Sequence, residues 1–371
     1  MHFSGRLLTA ILITALSVAC AKKTETPVAR KPVVPVRTAR TFPTVAQIEE
    51  LNAARRAVDT NAEALTKTAR AKTFSRSTQN QFSLQSREME GRFRELLDRT
   101  AVIYGAESRS LLAAATLLDP SLKERASSIV ALVDRDFVEK LQDICNLKTK
   151  PFLRGDSHPL CNGEKFRALS AAAFCTGFLA SPTQIVTAGH CVPSQAQLDR
   201  TYFVFGFTAN EDQIVKTRFI LTDVLGGGVL EARREDSGGD FAIIRIAEQK
   251  PPRKPLQLAN VTPPAGTRVY TLGHPQGLPL IHAGDAEIRP WTDPTAFFRA
   301  NLDAYGGNSG SPVFDATTGR VIGVIAEGET DFITKVASDG RACDATFYCP
   351  KSGCQGEKCT RTTVFLSRIR N

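Results

Sequence analysis

The hydrophobic positions between residues 44 and 150 follow a helical pattern. Gly91 and Gly105 are the only glycines in this part, so few residues would interrupt a helix. One stripe steps by three or four residues, and a helix start signal over residues 121–124 follows Pro120. The positions of the stripe are Leu122, Ala126, Ile129, Val133, Phe137, Leu141 and Ile144. The pattern predicts a helical N-terminal region over 44–150 that acts as a propeptide, a spacer or a docking surface.

From residue 151 onward the pattern changes to short apolar runs separated by turns. All but three of the 26 glycines lie in this part, and typical runs cover residues 202–207, 241–246 and 321–326. Short apolar runs bounded by turn residues are typical of strands in antiparallel sheets. The sequence therefore predicts an all-β domain over 151–371.

The apolar run at residues 7–19 is too short to span a bilayer, which takes about 20 residues, and it predicts a signal peptide over 1–20. Residues 17–20 resemble a lipobox, which would place a lipid on Cys20 and tether the protein to a membrane of the cell envelope. The apolar residue usual three positions before the cysteine is here Ser17. Residues 19–21 also fit ordinary signal peptidase, which would release a secreted protein starting at Lys22.

Prolines and basic residues dominate the segment 21–43, which carries six Lys or Arg against Glu25 and predicts an extended, solvated linker. The chain of 371 residues has a net charge of +9, but most of the excess lies upstream of the β-rich part. Residues 21–150 carry 23 basic and 16 acidic side chains, whereas residues 151–371 carry 23 and 22. This balance argues against a nucleic-acid groove in the β-rich part.

Three separated motifs in the β-rich part carry candidate chemistry. His190 lies in the turn 187–191, directly after a strand-like run. Asp240 opens an alternating apolar strand after a glycine-containing turn. Ser309 lies in the glycine-rich segment 306–312, ahead of another strand.

In this order, His190, Asp240 and Ser309 resemble the catalytic triad of the trypsin/chymotrypsin clan, in particular its bacterial branch with the glutamyl endopeptidases. The resemblance covers about residues 160–371 and implies a double antiparallel β-barrel of the trypsin-like fold. A serine hydroxyl needs an imidazole to take its proton, and the imidazole needs an acid to fix its tautomer. Ser309, with His190 and Asp240, fits these roles, and the N–H groups of Gly307 and Ser309 would form the oxyanion hole.

Other residues are available for the same roles. Asp223 and Asp236 are rival acids, although Asp240 has the better position at the start of a strand. His158, His274 and His282 are rival bases, and His274, in a turn with glycine and proline, is interpreted as structural. No pair of these histidines has a metal-ligand partner at helical spacing, so we predict no metal and no cofactor.

Nine cysteines in an exported chain predict disulfides. The resemblance implies a bond between Cys175 and Cys191, which would hold the histidine turn against the preceding strand. Cys145 and Cys161 could connect the helical region to the barrel. The remaining cysteines lack the spacing of a zinc knuckle, which favours two disulfides among Cys343, Cys349, Cys354 and Cys359.

The resemblance also implies a specificity pocket. Its candidate residues precede the serine or follow it by about 15 to 19 positions, and they are Asp303, Ala304, Ala326 and Gly328. Asp303 at the pocket floor would favour Lys or Arg in the substrate. It could equally be a buried structural acid, and Glu327 nearby complicates the charge argument.

The sequence thus predicts an exported serine endopeptidase that acts on proteins or peptides through an acyl-enzyme on Ser309. A catalytically silent binding protein of the cell envelope, built on the same scaffold, is the alternative. The residues do not indicate the natural substrate or the oligomeric state.

Overall fold

A computed structural model of the protein describes residues 101–153, 155, 158–249, 252–291, 296–328 and 330–370. The predicted signal peptide 1–20 with Cys20, the linker 21–43 and residues 44–100 of the predicted helical region lie outside the described residues. Among the helices of the described ranges, none combines the length and the hydropathy required for a membrane span.

Strands dominate the described residues. Numbered in chain order, they are β1 Ala101–Tyr104, β2 Arg109–Leu111, β3 Ile129–Asp134, β4 Val138–Lys140, β5 Ile144–Leu147, β6 Lys150–Pro151, β7 Ser170–Ala171, β8 Ala173–Ser181, β9 Gln184–Thr187, β10 Thr201–Phe205, β11 Arg218–Ile220, β12 Val224–Gly226, β13 Val229–Asp236, β14 Gly239–Arg245, β15 Arg268–Gly273, β16 Ile281–Glu287, β17 Phe297–Ala300, β18 Pro312–Asp315, β19 Val321–Glu327, β20 Phe332–Val336, β21 Ala342–Thr346, β22 Tyr348–Cys349 and β23 Glu357–Arg361.

The helices of the described part are short. They are α1 Leu112–Leu118, α2 Ser121–Ala126 and α3 Gln195–Asp199. Single 3₁₀ turns cover Arg135–Phe137, Leu221–Asp223, Pro275–Gly277, Thr362–Val364 and Leu366–Arg368.

Two seven-stranded antiparallel sheets form the frame of the domain. The first has the order β12-β10-β3-β8-β9-β14-β13 and the second the order β17-β23-β19-β18-β15-β16-β2. Each sheet curls into a half barrel, so the predicted all-β, double-barrel fold is confirmed. One buried apolar cluster joins the sheets, because it contains Phe178 and Phe241 of the first and Leu272, Phe314 and Val324 of the second.

The helix predicted through residues 122–144 is wrong beyond its first turns. Helix α2 begins at Ser121, where the start signal lies, but it ends at Ala126, and β3 follows. Residues 129–133 are five consecutive apolar residues that are at most 1% exposed, because β3 pairs with β8 and β10 on its two edges. A continuous apolar run of this length is typical of a strand buried on both faces. The helical stripe included only Ile129 and Val133 of this run.

Residues upstream of 151 therefore contribute strands to both sheets. β3 lies inside the first sheet, and β2 pairs with β16 at the edge of the second. Leu132 of β3 has no exposed surface and packs with Leu179, Ile185 and Phe203 in the core of the first half barrel. These contacts make residues 101–150 part of the folded β structure.

We expect a chain that begins at residue 151 to fail to fold. Removing β3 separates β8 from β10 and exposes their apolar faces, and truncation of even one buried leucine typically costs about 2–5 kcal/mol. The measurement is soluble yield and near-ultraviolet circular dichroism beside the full chain. A cooperative, fully active 151–371 fragment would show that the upstream strands are dispensable.

Candidate active site

His190 and Asp240 are brought together by the pairing of the strands that precede and contain them. β9 ends at Thr187, which pairs with Ala242 of β14, so the turn after β9 lies over the start of β14. His190 Nδ1 is 2.7 Å from Asp240 Oδ2. The backbone N–H groups of Gly189 and His190 donate to Asp240 Oδ1 at 2.6 and 3.1 Å. Both carboxylate oxygens thus fix the position of the imidazole.

Gly189 is required by this geometry. A Cβ atom at Gly189 would lie 2.0 Å from the carbonyl oxygen of Arg234 and 2.9 Å from Asp240 Oδ1. Real Cβ atoms do not approach this closely, so any side chain would push the turn away from β13 and from the carboxylate. The glycine before the histidine therefore permits the close approach of the N–H groups to Asp240.

Asp240 is also bound to the second sheet. Its N–H donates to Thr360 Oγ1 at 3.0 Å, and the Thr360 hydroxyl donates to the carbonyl oxygen of Asp240 at 2.8 Å. Thr360 lies on β23, whereas Asp240 lies on β14 of the first sheet. This pair of hydrogen bonds aligns the two half barrels at the position of the acid.

The surroundings of His190 favour its protonated form. The hydrogen bond to Asp240 is the largest effect and raises the pKa of His190 above its ordinary value, while burial of the ring opposes the shift. The charge of Glu235 also raises this pKa, and the charge of Arg233 lowers it. Arg233 contacts Glu235 and donates from Nε to the carbonyl oxygen of Gly189 at 2.9 Å, so it also holds the histidine turn.

The Ser309 loop reaches across from the second sheet to the histidine turn. It precedes β18, and the carbonyl oxygen of Ser309 accepts from the N–H of Thr176 on β8 at 2.9 Å. Cys191, which follows His190, has its Sγ 3.7 Å from the same oxygen. At Gly310, φ is +88°, and a Cβ would lie 2.0 Å from the carbonyl oxygen of Thr176. The backbone of Ser309 thus lies against Thr176 and against Cys191, the residue after His190, and only glycine fits after Ser309.

Gly307 lies in a tight turn ahead of Ser309. Its φ is +86°, and its carbonyl oxygen accepts from Thr176 Oγ1 at 3.0 Å. Neither the N–H of Gly307 nor that of Ser309 donates to another atom of the described residues. Asn308 between them is buried, and its N–H donates to the carbonyl oxygen of Tyr305 at 3.0 Å. Two backbone donors on one tight loop are therefore available to a ligand.

The rival acids and bases have other contacts. Asp236 is exposed and accepts from Gly238 N, whereas Asp223 pairs with Arg253. His158 contacts Asp344. His274 is buried and its Nδ1 donates to the carbonyl oxygen of Leu278, in agreement with a structural role, and burial lowers its pKa to about 4.

His282 packs against Tyr270, with ring centroids 5.6 Å apart. Burial lowers the pKa of His282. This pairing is on β15 and β16, and it gives His282 a place in the second half barrel rather than at the serine loop.

The cysteines pair differently from the expectation at two places. Cys175 and Cys191 form a disulfide beside His190. Cys161, however, bonds to Cys343, and Cys145 is a buried thiol on β5, so the suggested link between Cys145 and Cys161 is wrong. The reason is that the segment at Cys161 runs along β21, where its N–H donates to the carbonyl oxygen of Asp344 at 2.8 Å.

Only one disulfide lies within the C-terminal group of cysteines. Cys349 bonds to Cys354, and Cys359 is a buried thiol on β23, so the expected second bond in this group is wrong. The sulfur atoms of Cys175 and Cys191 lie within 4.8 Å of a ring nitrogen of His190, but because they are bonded to each other they cannot act as thiolate ligands of a metal.

A cavity of about 240 Å³ opens beside Ser309. It is lined by Tyr305, Gly306, Ser309, Ile325, Gly328, Thr330, Asp331 and Glu357. A larger cavity of about 560 Å³ lies around residues 163–169 and includes none of the predicted site residues.

Some of the predicted pocket residues line the cavity beside Ser309, and others do not. Gly328 lines the cavity, and a Cβ there would lie 2.2 Å from Glu357 Oε2. Ala304 and Ala326 are buried and do not line it. Asp303 is 2% exposed and does not line this cavity, and its carboxylate accepts hydrogen bonds from Tyr104 and Ser108, as expected for the structural alternative. Asp331 and Glu357, which also line the cavity, were not predicted, because they lie away from Ser309 along the chain and no local pattern marks them.

Comparison with known proteins agrees with this architecture. Residues 175–324 match the model of the trypsin-like peptidase domain. None of the curated proteins compared with the chain matches it in sequence.

Similar solved structures include a Glu endopeptidase in complex with MPD, with 18% identity over 67% of this chain and 94% of that chain and a TM-score of 0.37. The VesB protease of Vibrio cholerae is 17% identical over 72% and 66%, with a TM-score of 0.41. An inactivated protease paralogue of the scabies mite is 15% identical over 66% and 94%, with a TM-score of 0.40. The match to the trypsin-like peptidase domain thus covers residues 175–324 of this chain, which include His190, Asp240 and Ser309.

Proposed function

We propose that the protein is an exported serine endopeptidase in which Ser309 is the nucleophile, His190 the general base and Asp240 the acid that orients the imidazole. The observation that carries the proposal is that Asp240 binds both the backbone and the ring of His190, while the Ser309 backbone contacts Cys191, the next residue. A carboxylate at Nδ1 leaves Nε2 unprotonated and able to take the proton of a serine hydroxyl.

The reaction would proceed through an acyl-enzyme. Ser309 Oγ attacks the peptide carbonyl carbon while its proton passes to His190 Nε2, and the oxyanion is stabilised by the N–H groups of Gly307 and Ser309. The C–N bond then breaks, and the imidazolium gives its proton to the leaving amine. Water, deprotonated by His190, attacks the acyl-enzyme in the same way and releases the acid with Ser309 restored.

Three disulfides among the described residues indicate an extracytoplasmic environment, because thiols stay reduced in the cytosol. We propose in addition that the signal peptide 1–20 directs export and that Cys20 carries a lipid tether. We also infer that the peptidase domain begins near residue 101 rather than 151, since β2 and β3 belong to its sheets.

Replacement of the nucleophile is the first test of the proposal. Ser309→Ala should abolish labelling by a serine-directed phosphonate and lower peptide hydrolysis by about 10⁶-fold, because no other group replaces the hydroxyl. The measurement is labelling and casein or peptide cleavage by secreted, folded protein. Ser127→Ala, at an exposed hydroxyl bonded only to the Glu124 carbonyl, is the matched control. Folded wild-type protein that neither labels nor cuts would favour the silent binding protein.

The pH dependence of kcat/KM tests the role of His190. Only the neutral imidazole accepts a proton, and the pKa of His190 is raised, so activity should be lost as pH falls through a value above 6.5. Glu235→Gln removes one charge that raises this pKa and should move the acid limb to lower pH. Asp339→Asn, at an exposed acid paired with Arg341, should leave the limb in place. An unshifted limb in Glu235→Gln would contradict this electrostatic account.

The acids of the cavity predict the preferred substrate. Asp331 and Glu357 are buried there, and none of the described residues that line the cavity is basic, so a Lys or Arg side chain should be favoured over Asp or Glu. Glu357→Gln should lower this preference by about 10- to 100-fold, the worth of a hydrogen bond to a charged group. Cleavage-site profiling by mass spectrometry measures it, with Glu327→Gln, whose carboxylate pairs with Lys358, as the control. Preferential cutting after Glu would refute the assignment.

A further inference from the structure

Residues 104–109, here called the N-terminal strap, cross the second half barrel and bind the segment that leads to Ser309. The strap joins β1, which pairs with β22, to β2, which pairs with β16. Tyr104 N–H donates to Asp303 Oδ1 at 2.8 Å, and Ser108 N–H donates to Asp303 Oδ2 at 2.9 Å. The Ser108 hydroxyl lies 2.5 Å from Asp303 Oδ2 and 2.8 Å from the carbonyl oxygen of Gly284. The three hydrogen bonds to Asp303 join residues almost 200 positions apart in sequence.

Asp303 depends on these donors. Its carboxylate is almost fully buried, and burial, the largest effect, raises the pKa of Asp303, while the hydrogen bonds from Ser108 and Tyr104 oppose that shift. A buried carboxylate without donors is costly, so the segment at Asp303 keeps this position only while the strap is in place.

Arg109 makes the second attachment. Its guanidinium is buried, lies 4.0 Å from the ring centroid of Tyr305 and donates from Nη2 to the Tyr305 hydroxyl at 3.1 Å. Glu107, on the same strap, accepts from Arg109 Nε and Nη2 at 2.8 Å each. The Tyr305 hydroxyl also contacts Thr346 Oγ1 at 2.6 Å, so the ring is held on both sides.

The residues that the strap holds are continuous with the reactive loop. Tyr305 and Gly306 line the cavity together with Ser309, and the Tyr305 carbonyl accepts from Asn308 N–H, which closes the turn at Gly307. A shift of residues 303–305 would therefore displace both the cavity wall and the Gly307 N–H.

We propose that the N-terminal strap is a positioning element of the peptidase, with Ser108 and Arg109 as positioning residues that keep residues 303–309 in the reactive conformation. The proposal rests on the proposed function. The proposal goes beyond that function because it requires the residues upstream of the barrel motifs to stay attached in the active enzyme. A cut within the strap should therefore inactivate the protein rather than activate it.

Ser108→Ala in the full chain tests the proposal, with Ser108→Thr as the conservative variant that keeps the hydroxyl. Because one hydrogen bond to a charged group is lost, we expect backbone amides of residues 303–309 to exchange with deuterium about 10-fold faster and peptide kcat/KM to fall about 10-fold, with the acid limb of the pH profile unchanged. Ser108→Thr should restore both. Ser110→Ala, on β2 in register with His282, is the matched control and should match wild type.

The rates are measured well below the melting temperature of each variant. If Ser108 had a purely structural role, its replacement would lower the melting temperature and leave the rates unchanged. Folded Ser108→Ala protein with wild-type exchange in 303–309 and wild-type kcat/KM would overturn the proposal. Failure of the proposed function is distinguishable, because wild-type protein would then show no Ser309-dependent cleavage, while the exchange measurement still tests whether the strap holds the loop.

Discussion

The site depends on the hydrogen bonds of one carboxylate. Asp240 accepts from two consecutive backbone N–H groups and from the imidazole of His190, and its own backbone is tied to Thr360 of the other sheet. The carboxylate therefore fixes the histidine turn, the ring orientation and the alignment of the half barrels together. The direction of the His190 pKa shift follows from the same contact, since a negative oxygen at Nδ1 stabilises the imidazolium more than partial burial destabilises it. In the proposed mechanism, proton transfer at Nε2 would then need little reorganisation of the ring.

Thr176 holds the serine loop against the first sheet through its backbone and its hydroxyl. Thr176 on β8 receives the serine loop through three contacts: its N–H binds the Ser309 carbonyl, its hydroxyl binds the Gly307 carbonyl, and its carbonyl oxygen lies where a side chain at Gly310 would be. Both carbonyls of the loop thus bind β8. Gly310 is required because its φ is positive and a Cβ there would meet the carbonyl oxygen of Thr176, and Gly307 because its φ is positive and a Cβ there would meet the turn at residues 274–277.

The sequence predicts well where local pattern and pairing coincide. His190 follows an apolar strand and Asp240 opens another, and the pairing of these strands brings the two residues together. Ser309 lies in a glycine-rich loop. Each motif can therefore be recognised from its local sequence. Prediction failed where the deciding contacts are distant in sequence. Ile129 fits a helical stripe in the sequence, yet it lies on a strand, because its segment pairs with β8 and β10 along its two edges and packs into apolar clusters on its two faces. Neither the bond of Cys161 to Cys343 nor the contact of Asp303 with Tyr104 has a signature in spacing, because both join segments far apart along the chain.

Asp240 and Asp303 show that two acids with similar hydrogen bonds can differ in role because their surroundings differ. Asp240 and Asp303 are each held by two backbone N–H groups, so their local hydrogen bonding is alike. Asp240 also faces the imidazole of His190, and its hydrogen bond raises the pKa of that ring. Asp303 faces only donors of the N-terminal strap and lies deeper, so the same carboxylate serves to join two chain segments. Asp303 is held by residues 104–108, and β3 lies between β8 and β10 in the sheet that carries Asp240, so the geometry around the candidate site depends on residues upstream of 151 as well as on the motif-bearing part.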